Sequence, residues 1–349
     1  MTNSEEKIDI LSLFPEELEK EIISLGEPKF RAKQVYSWIV KGKWGDEMKN
    51  VPASLRQKLE NRFVFTLPII EKKLVSKIDG TIKYLFRLHD GEFIESVFMK
   101  YEHGNTLCIS SQVGCRMGCK FCASTLLGRV RNLLPSEMLG QIIAAEKDTG
   151  ERISNVVMMG IGEPLDNYDN TIKFLRLVSH EDNLNIGLRH ISVSSCGLVD
   201  KINDLANESL PVTLSISLHA YDNETRSKIM PINNKYPIEE LLASCQRYFE
   251  KTSRRISFEY TLIAGQNDDE EGAKKLALVL KKYIKSPCHV NLIPLNEVKE
   301  TGLSTSKNVN NFKNKLLSLG INATVRRRLG SDINASCGQL RRQAKEENK

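Results

Sequence analysis

The stretch that decides the fold reads Cys115-Arg116-Met117-Gly118-Cys119-Lys120-Phe121-Cys122. Three thiols stand at offsets of four and three, with a small residue and an aromatic between them. Such spacing lets one short loop turn all three sulfurs toward a single object. A structural zinc ion closes its sphere with four ligands. An iron–sulfur cube held by only three cysteines keeps one iron open for a non-protein ligand. A half zinc site completed by a distant His or Cys is the competing reading of these eight residues alone.

Working outward, the 349-residue chain has room for one large domain and a smaller one. Hydrophobic content of 40% and charge of 27% place it with ordinary globular proteins. No run approaches eighteen apolar residues, so no membrane span is expected. Met1-Thr2-Asn3-Ser4-Glu5-Glu6 has neither a basic nor an apolar signal region, which argues against secretion and for a cytoplasmic protein. Eight cysteines in that setting read as thiols, metal ligands or redox groups rather than a disulfide framework.

The net charge of +6 is unevenly spread. Pro28 to Arg62 holds nine Lys/Arg against three Asp/Glu, and Arg326 to the end holds seven against three. Two basic zones flanking a central region suit a polyanion such as nucleic acid. Solvated helix faces would give the same counts.

Residues 1–66 read as a helical unit with a basic outer face, a plausible RNA-docking domain. Pro15-Glu16-Glu17-Leu18 opens a helix that Gly26 ends. A second helix from Pro28 puts Phe30, Val35, Trp38 and Ile39 on one apolar face, and a third runs from Pro52 to Phe63. Residues 67–100 read as a connecting β-hairpin, Thr81–Leu88 and Glu92–Met99, each preceded by an Asp-Gly turn. From 101 to 330, apolar strands alternate with helices, and Thr106–Ser110 delivers the chain to the three-cysteine loop. Repeated βα units predict an α/β fold with a parallel sheet closed wholly or partly into a barrel, its function at the C-terminal ends of the strands. Residues 331–349 form a tail.

The Cys-x3-Cys-x2-Cys pattern resembles the signature of the radical S-adenosylmethionine superfamily, which implies a partial (β/α)6-type barrel. It also implies one [4Fe-4S] cluster on Cys115, Cys119 and Cys122, whose open iron binds the amino and carboxylate groups of S-adenosyl-L-methionine. One helix later comes Gly160-Ile161-Gly162-Glu163-Pro164-Leu165, a turn that the superfamily uses for the cofactor's amino group. The strand ends Ser194-Ser195-Cys196-Gly197, Ser217-Leu218-His219 and Ile293-Pro294-Leu295-Asn296 offer hydroxyl, imidazole and amide groups. Singly these are ordinary strand-end polar residues; together they outline one pocket.

Thr106–Gln112, Gly160–Leu165, Met230-Pro231-Ile232-Asn233 and Gly330–Leu340 are similar to the dual-specificity ribosomal- and transfer-RNA adenine-C2 methyltransferases. The likeness runs from about Phe14 to Arg342. It implies cofactor contacts at Gly162, Glu163, Ser194, Ser217, Leu218, His219 and Asn296. Ile161 stands where Met is common and Ser195 where Thr is common; neither change removes a catalytic group.

Adenine C2 lies between two ring nitrogens and is a poor nucleophile, so direct transfer of an electrophilic methyl is mismatched. Radical chemistry belongs to the cofactor, while the protein supplies positioning and a relay. Cys337, in a Gly- and Ser-rich stretch beyond the last strand, is a candidate nucleophile or a small packing cysteine. The resemblance implies that Cys337 is methylated by one cofactor molecule. A second molecule is split to a deoxyadenosyl radical, which takes hydrogen from that methyl; the methylene radical then adds to C2 as a protein–RNA crosslink. Cys108 matches the cysteine that resolves this link, with a transient Cys108–Cys337 disulfide, and Glu95 matches the proton acceptor. Whether Glu95 or Cys108 takes the proton is open. Cys196, Cys245 and Cys288 have no part in the scheme and are expected to be buried thiols.

Implied partners are 23S rRNA and tRNA and an external one-electron donor of the flavodoxin or ferredoxin type, acting on a monomer with no membrane contact. The sister group that methylates adenine C8 shares the cluster and both relay cysteines. Its turn usually reads Gly-Glu-Ala-Leu, whereas this chain has Gly162-Glu163-Pro164-Leu165, and Arg326-Arg327-Arg328 with Arg341-Arg342 also favours the C2 group. A zinc-holding RNA-binding module without catalysis is the rival from another class.

Overall fold

The computed structural model describes residues 7–295, 302–333 and 339–347. Strand β1 (Ile8–Asp9) precedes helices α1 (Pro15–Ser24), α2 (Phe30–Ile39) and α3 (Ala53–Arg62), and pairs with β2 (Phe63–Val64) behind them. Helix α1 starts on Pro15, and the Glu17 carboxylate accepts from the Phe14 N–H at 2.9 Å, satisfying a donor of the first turn. Leu18, Ile22, Val35, Ile39, Leu55 and Leu59 close a core belonging to these helices. Phe30 departs from the expected apolar face and is 55% exposed. Five residues ahead of Val35, it lies roughly 140° round the helix. Ala32 and Tyr36 are buried on that face instead, and the Arg31 guanidinium lies 4.9 Å above the Phe30 ring.

Strands β3 (Ile69–Val75), β4 (Ile82–Arg87) and β5 (Phe93–Met99) form an antiparallel meander, one strand more than the hairpin read from sequence. The register of β3 shifts between Ile70 and Lys72, and this break in alternation hides it in the sequence. Next come β6 (Thr106–Cys108), β7 (Gln112–Gly114), β8 (Arg129–Asn132), α4 (Pro135–Thr149), β9 (Asn155–Met158), α5 (Tyr168–Val178) and β10 (Ile191–Ser195). They are followed by α6 (Val199–Asn207), β11 (Thr213–Ser217), α7 (Asn223–Ile229), α8 (Ile238–Thr252), β12 (Ile256–Leu262) and α9 (Glu270–Tyr283). The chain then forms β13 (Cys288–Pro294), α10 (Val309–Ser318), β14 (Ala323–Val325) and α11 (Gln339–Glu347).

Ten strands share one sheet in the order β14-β13-β12-β11-β10-β9-β6-β5-β4-β3. From β6 to β14 the pairing is parallel. The antiparallel β5 adjoins β6. Six βα units and a last strand thus make a partial barrel extended by the meander. Alternation along each strand sets its lining. Leu214, Ile216, Phe258, Tyr260, Val290 and Leu292 point outward into the core under the helices. Thr213, Ser217, Glu259, Thr261 and Ser192 line cavities instead. A packed barrel would carry branched apolar residues there; this one keeps a polar lumen. Among the described residues no helix is long and apolar enough to cross a membrane.

Candidate active site

Strands β7 and β8 form a two-stranded ribbon that presents the three-cysteine loop. At its base the Cys115 N–H donates to Gly128 O at 3.1 Å. Gly114 has φ +80°, and a Cβ there would sit 1.9 Å from Gly128 O, so only glycine closes the ribbon this tightly. The Cys122 N–H donates to Cys119 O at 3.1 Å, and the Lys120 N–H donates to Ile229 O at 2.9 Å at the end of α7. Arg116 and Arg129 both pair with Asp166, which also accepts from Gln112 Nε2 at 2.9 Å. Asp166 follows Leu165, so these contacts bind the cysteine loop to the Gly160–Leu165 turn.

Cys115, Cys119 and Cys122 line one cleft with Gly162, Glu163, Ser194, Cys196, Ser217 and His219. It encloses about 820 Å³ of non-protein space, solvent at its mouth included. Burial pushes the Cys115 thiol up to about 12 and raises those of Cys119 and Cys122 as well.

Glu163 is buried at the turn. One of its oxygens accepts from the Cys196 N–H at 2.7 Å and the other from the Leu165 N–H at 3.1 Å. Burial raises its carboxyl above the usual range, opposed by these hydrogen bonds. An ionised carboxylate has about four acceptor sites, so two backbone donors leave capacity for an ammonium group. Gly162 has φ +107°, and a Cβ there would fall 2.7 Å from the Gln112 backbone nitrogen.

His219 sits at φ +56°, a region few non-glycine residues enter. Its Nδ1 accepts from the Thr261 N–H at 2.9 Å. That bond leaves the proton of the neutral ring on Nε2. Burial, reinforced by the Arg226 charge, drives its pKa down to about 3. The ring meets Phe121 of the cysteine loop edge-on at 4.8 Å. Leu218 departs from the other expected contacts, since its side chain belongs to the outer core. Its N–H donates to Glu259 O at 3.0 Å and its carbonyl accepts from Arg226 Nε at 3.1 Å. Asn296 lies outside the described residues.

Several residues here escape sequence reading. Glu259, Thr261, Met159 and Arg326 line the cleft. Glu259 accepts from Asn291 Nδ2 at 2.8 Å, and burial raises its carboxyl. The polar-apolar alternation of Ser257-Phe258-Glu259-Tyr260-Thr261 is the signal that marks its inward face. Cys196, expected only as a buried thiol, is buried against the cleft, whereas Cys245 lies in the core and Cys288 is half-buried.

Of the relay residues, Cys108 is buried beside Val97 and Met99, with Met159 packed against the same group. Met159 also lines the cleft, so the group that encloses Cys108 borders that space. Glu95 and Lys83 form a buried ion pair at 3.1 Å, with side-chain exposures of 0% and 1%. Glu95 Oε1 accepts from the Arg341 N–H in the first turn of α11 at 2.8 Å. Cys337 lies outside the described residues. Both flanks of its segment are anchored on the meander. Asp332 accepts from Ser76 Oγ at 2.7 Å and the Lys77 N–H at 2.9 Å, Gly330 N–H donates to Asp79 at 2.9 Å, and Lys345 pairs with Glu92 at 2.8 Å.

Among the described residues no three His, Cys, Asp or Glu side chains converge on a point that one ion could occupy. A cube puts a different iron on each sulfur, so it asks for thiols spread around a space. Three thiols that line one cleft together with a buried carboxylate and a neutral imidazole fit such a cluster and an amino-acid-bearing ligand.

A family described as the radical SAM superfamily matches residues 109–277, and one described as a ribosomal RNA large subunit methyltransferase N-terminal domain matches residues 8–65. A probable dual-specificity RNA methyltransferase RlmN of Clostridium tetani is 53% identical, over 96% of this chain and 96% of its own. Its counterpart from Alkaliphilus oremlandii is 54% identical, over 97% and 98%. The crystal structure of a radical SAM methyltransferase from Sphaerobacter thermophilus superposes with a TM-score of 0.90 at 41% identity, covering 95% of this chain and 98% of that one.

Proposed function

The chain belongs to the dual-specificity RNA methyltransferases of the radical SAM superfamily, and from that membership we propose that it methylates C2 of specific adenines in 23S rRNA and tRNA. The observation that carries the proposal is the single cleft shared by three thiols, buried Glu163 and neutral His219. Cys115, Cys119 and Cys122 would hold one [4Fe-4S] cluster. Glu163 would take the ammonium of S-adenosyl-L-methionine, His219 would donate from Nε2–H, and Ser194 and Ser217 would offer hydroxyls. When bound, the cluster supplies the electron for reductive cleavage of S-adenosyl-L-methionine, an electron that an external flavodoxin- or ferredoxin-type donor delivers.

Cys337 accepts a methyl group in this scheme, is joined through that carbon to the adenine, and is then released by Cys108. The burial of Cys108 in a group that borders the cleft supports its resolving role. Glu95 is the proposed proton acceptor. Lys83 and the Arg341 N–H orient its carboxylate, and a proton gained there weakens both contacts. The helical module docks RNA through its basic outer face, where Lys29, Lys33 and Lys41 are exposed. The protein acts as a monomer in the cytoplasm.

The test is mass spectrometry of Cys337 and of product adenosine after anaerobic turnover with methyl-labelled cofactor. Methyl-Cys337 together with 2-methyladenosine is the expected result. Labelled 8-methyladenosine would move the protein to the sister group. An unmodified Cys337 in protein carrying its cluster would overturn the relay.

A further inference from the structure

Arg226 on α7 is 0% exposed, yet its hydrogen bonds go to four oxygens none of which is a carboxylate. Nη2 donates to Cys196 O at 2.7 Å and Ser217 O at 3.2 Å, Nε to Leu218 O at 3.1 Å and Nη1 to Asn233 Oδ1 at 3.2 Å. Asn233 is itself held, donating to Ser227 Oγ at 2.9 Å and Asn223 O at 3.2 Å. The guanidinium therefore staples the end of β10 to the end of β11. Those are the ends that place Ser194, Cys196, Ser217 and His219 in the cleft. Gly197 makes room for it, because a Cβ there would lie 3.3 Å from Nη2 and 2.9 Å from Leu241 Cδ2.

The same helix props the cysteine loop. Ile229 O takes the Lys120 N–H at 2.9 Å, and Ile229 and Met230 pack with Cys119 and Cys196. Carbonyl dipoles take four of the five Arg226 N–H donors, and among the described residues no carboxylate pairs with it, so its charge is buried without the partner that usually offsets such burial. Burial brings its pKa down to about 10, so the group stays charged at neutral pH. An iron–sulfur cluster on three thiolates is negative overall and becomes more so on reduction, and nearby charge and hydrogen bonding set its potential.

We propose that Arg226 is a positioning residue for this reaction, its fork shaping the cofactor pocket and its charge raising the reduction potential of the cluster on Cys115, Cys119 and Cys122. This inference rests on the cluster reading given above. The fork accounts for the three carbonyl contacts, and the lack of a carboxylate partner among the described residues accounts for why a cation rather than an amide does this work.

The test uses full-length protein reconstituted anaerobically without RNA, and reads iron content, cluster midpoint potential and binding of S-adenosyl-L-methionine. Arg226→Lys keeps the charge and loses the fork; it should keep the wild-type potential and bind cofactor about tenfold more weakly. Arg226→Gln should lower the potential as well. Asn233→Asp is the decisive variant should Arg226→Gln fail to fold, because it neutralises the guanidinium while leaving its carbonyl contacts in place; the Ser227 hydroxyl can turn to donate to it, and only the bond to Asn223 O is lost. A more negative potential in Asn233→Asp, at wild-type iron content, is the expected result. An unchanged potential there would overturn the charge role, and undiminished cofactor binding in Arg226→Lys would overturn the fork. Wild-type protein that takes up no cluster would instead defeat the functional reading itself.

Discussion

Glu95 and Arg341 meet across 246 residues of sequence, the Arg341 backbone N–H donating to Glu95 Oε1 at 2.8 Å. The carboxylate proposed to accept the adenine C2 proton thus also holds the first turn of the helix that begins two residues after Cys337. Its other oxygen lies 3.1 Å from Lys83 Nζ. A negative charge at a helix N-terminus is favourable in itself, and the buried ammonium keeps it in place.

Lys83→Met should therefore destabilise the protein by about 3 kcal/mol, since removing one partner of a buried ion pair strands the other. Lys83→Met combined with Glu95→Leu should recover much of that loss, and the double-mutant cycle measures the coupling. Amide exchange at residues 340–344 should quicken in the single mutant. Equal stability of wild type and Lys83→Met in denaturant titration would contradict the pairing.

Glu163→Gln should weaken binding of S-adenosyl-L-methionine by about tenfold, because the ammonium loses a charged hydrogen-bond partner. Equilibrium dialysis on protein with full iron content measures this. Affinity equal to wild type would remove Glu163 from the amino-group site.

Cofactor binding should be flat between pH 5 and pH 8 as far as His219 is concerned. Its folded-state pKa is about 3 against an ordinary 6.5, so the ring stays neutral throughout that range. The linkage to stability has a definite sign. With the folded value depressed, the contribution of neutral His219 is complete above pH 6.5 and is lost as pH falls toward 3. A binding curve that titrates near pH 6.5 and persists in His219→Asn would point to another group, whereas one abolished by that substitution would refute the neutral ring.

Asp79 connects acid to the tail. Burial opposes its ionisation, but the Gly330 and Thr81 hydrogen bonds outweigh burial and bring its pKa to about 2. Its hold on Gly330 is present above pH 3.8 and is lost as pH falls through about 2. Exchange at Gly330 should rise over that interval, and Asp79→Asn should abolish the transition while leaving the rest of the sheet protected.

The elements were largely legible because each owes its form to local pattern. Helix α4 begins on Pro135 and stops at Gly150, at φ +69°, as its sequence requires. The cysteine loop and the Gly160–Leu165 turn were legible for a similar reason, since their spacing is local. Strands β7 and β8 were not, because Arg129-Val130-Arg131-Asn132 reads as polar chain and pairs only through a loop-closing ribbon. Helix α7 was missed although Asp222 caps it, accepting from the Thr225 N–H at 2.8 Å; seven residues give too short a periodic signal. Arg226 and Lys83 were invisible for a deeper reason. Nothing in a sequence distinguishes a solvated cation from one at 0% exposure until the oxygens around it are brought together from distant strands.

The anchoring of the tail bears on how the enzyme is born. Residues 330–333 and 339–345 dock onto residues 76–95, some 250 positions earlier, through Asp79, Ser76, Lys77, Glu92 and Glu95. During synthesis the dock on the meander and the cysteine loop leave the ribosome long before the two flanks that bind to that dock. Both flanks therefore arrive last, at a surface already built to receive them.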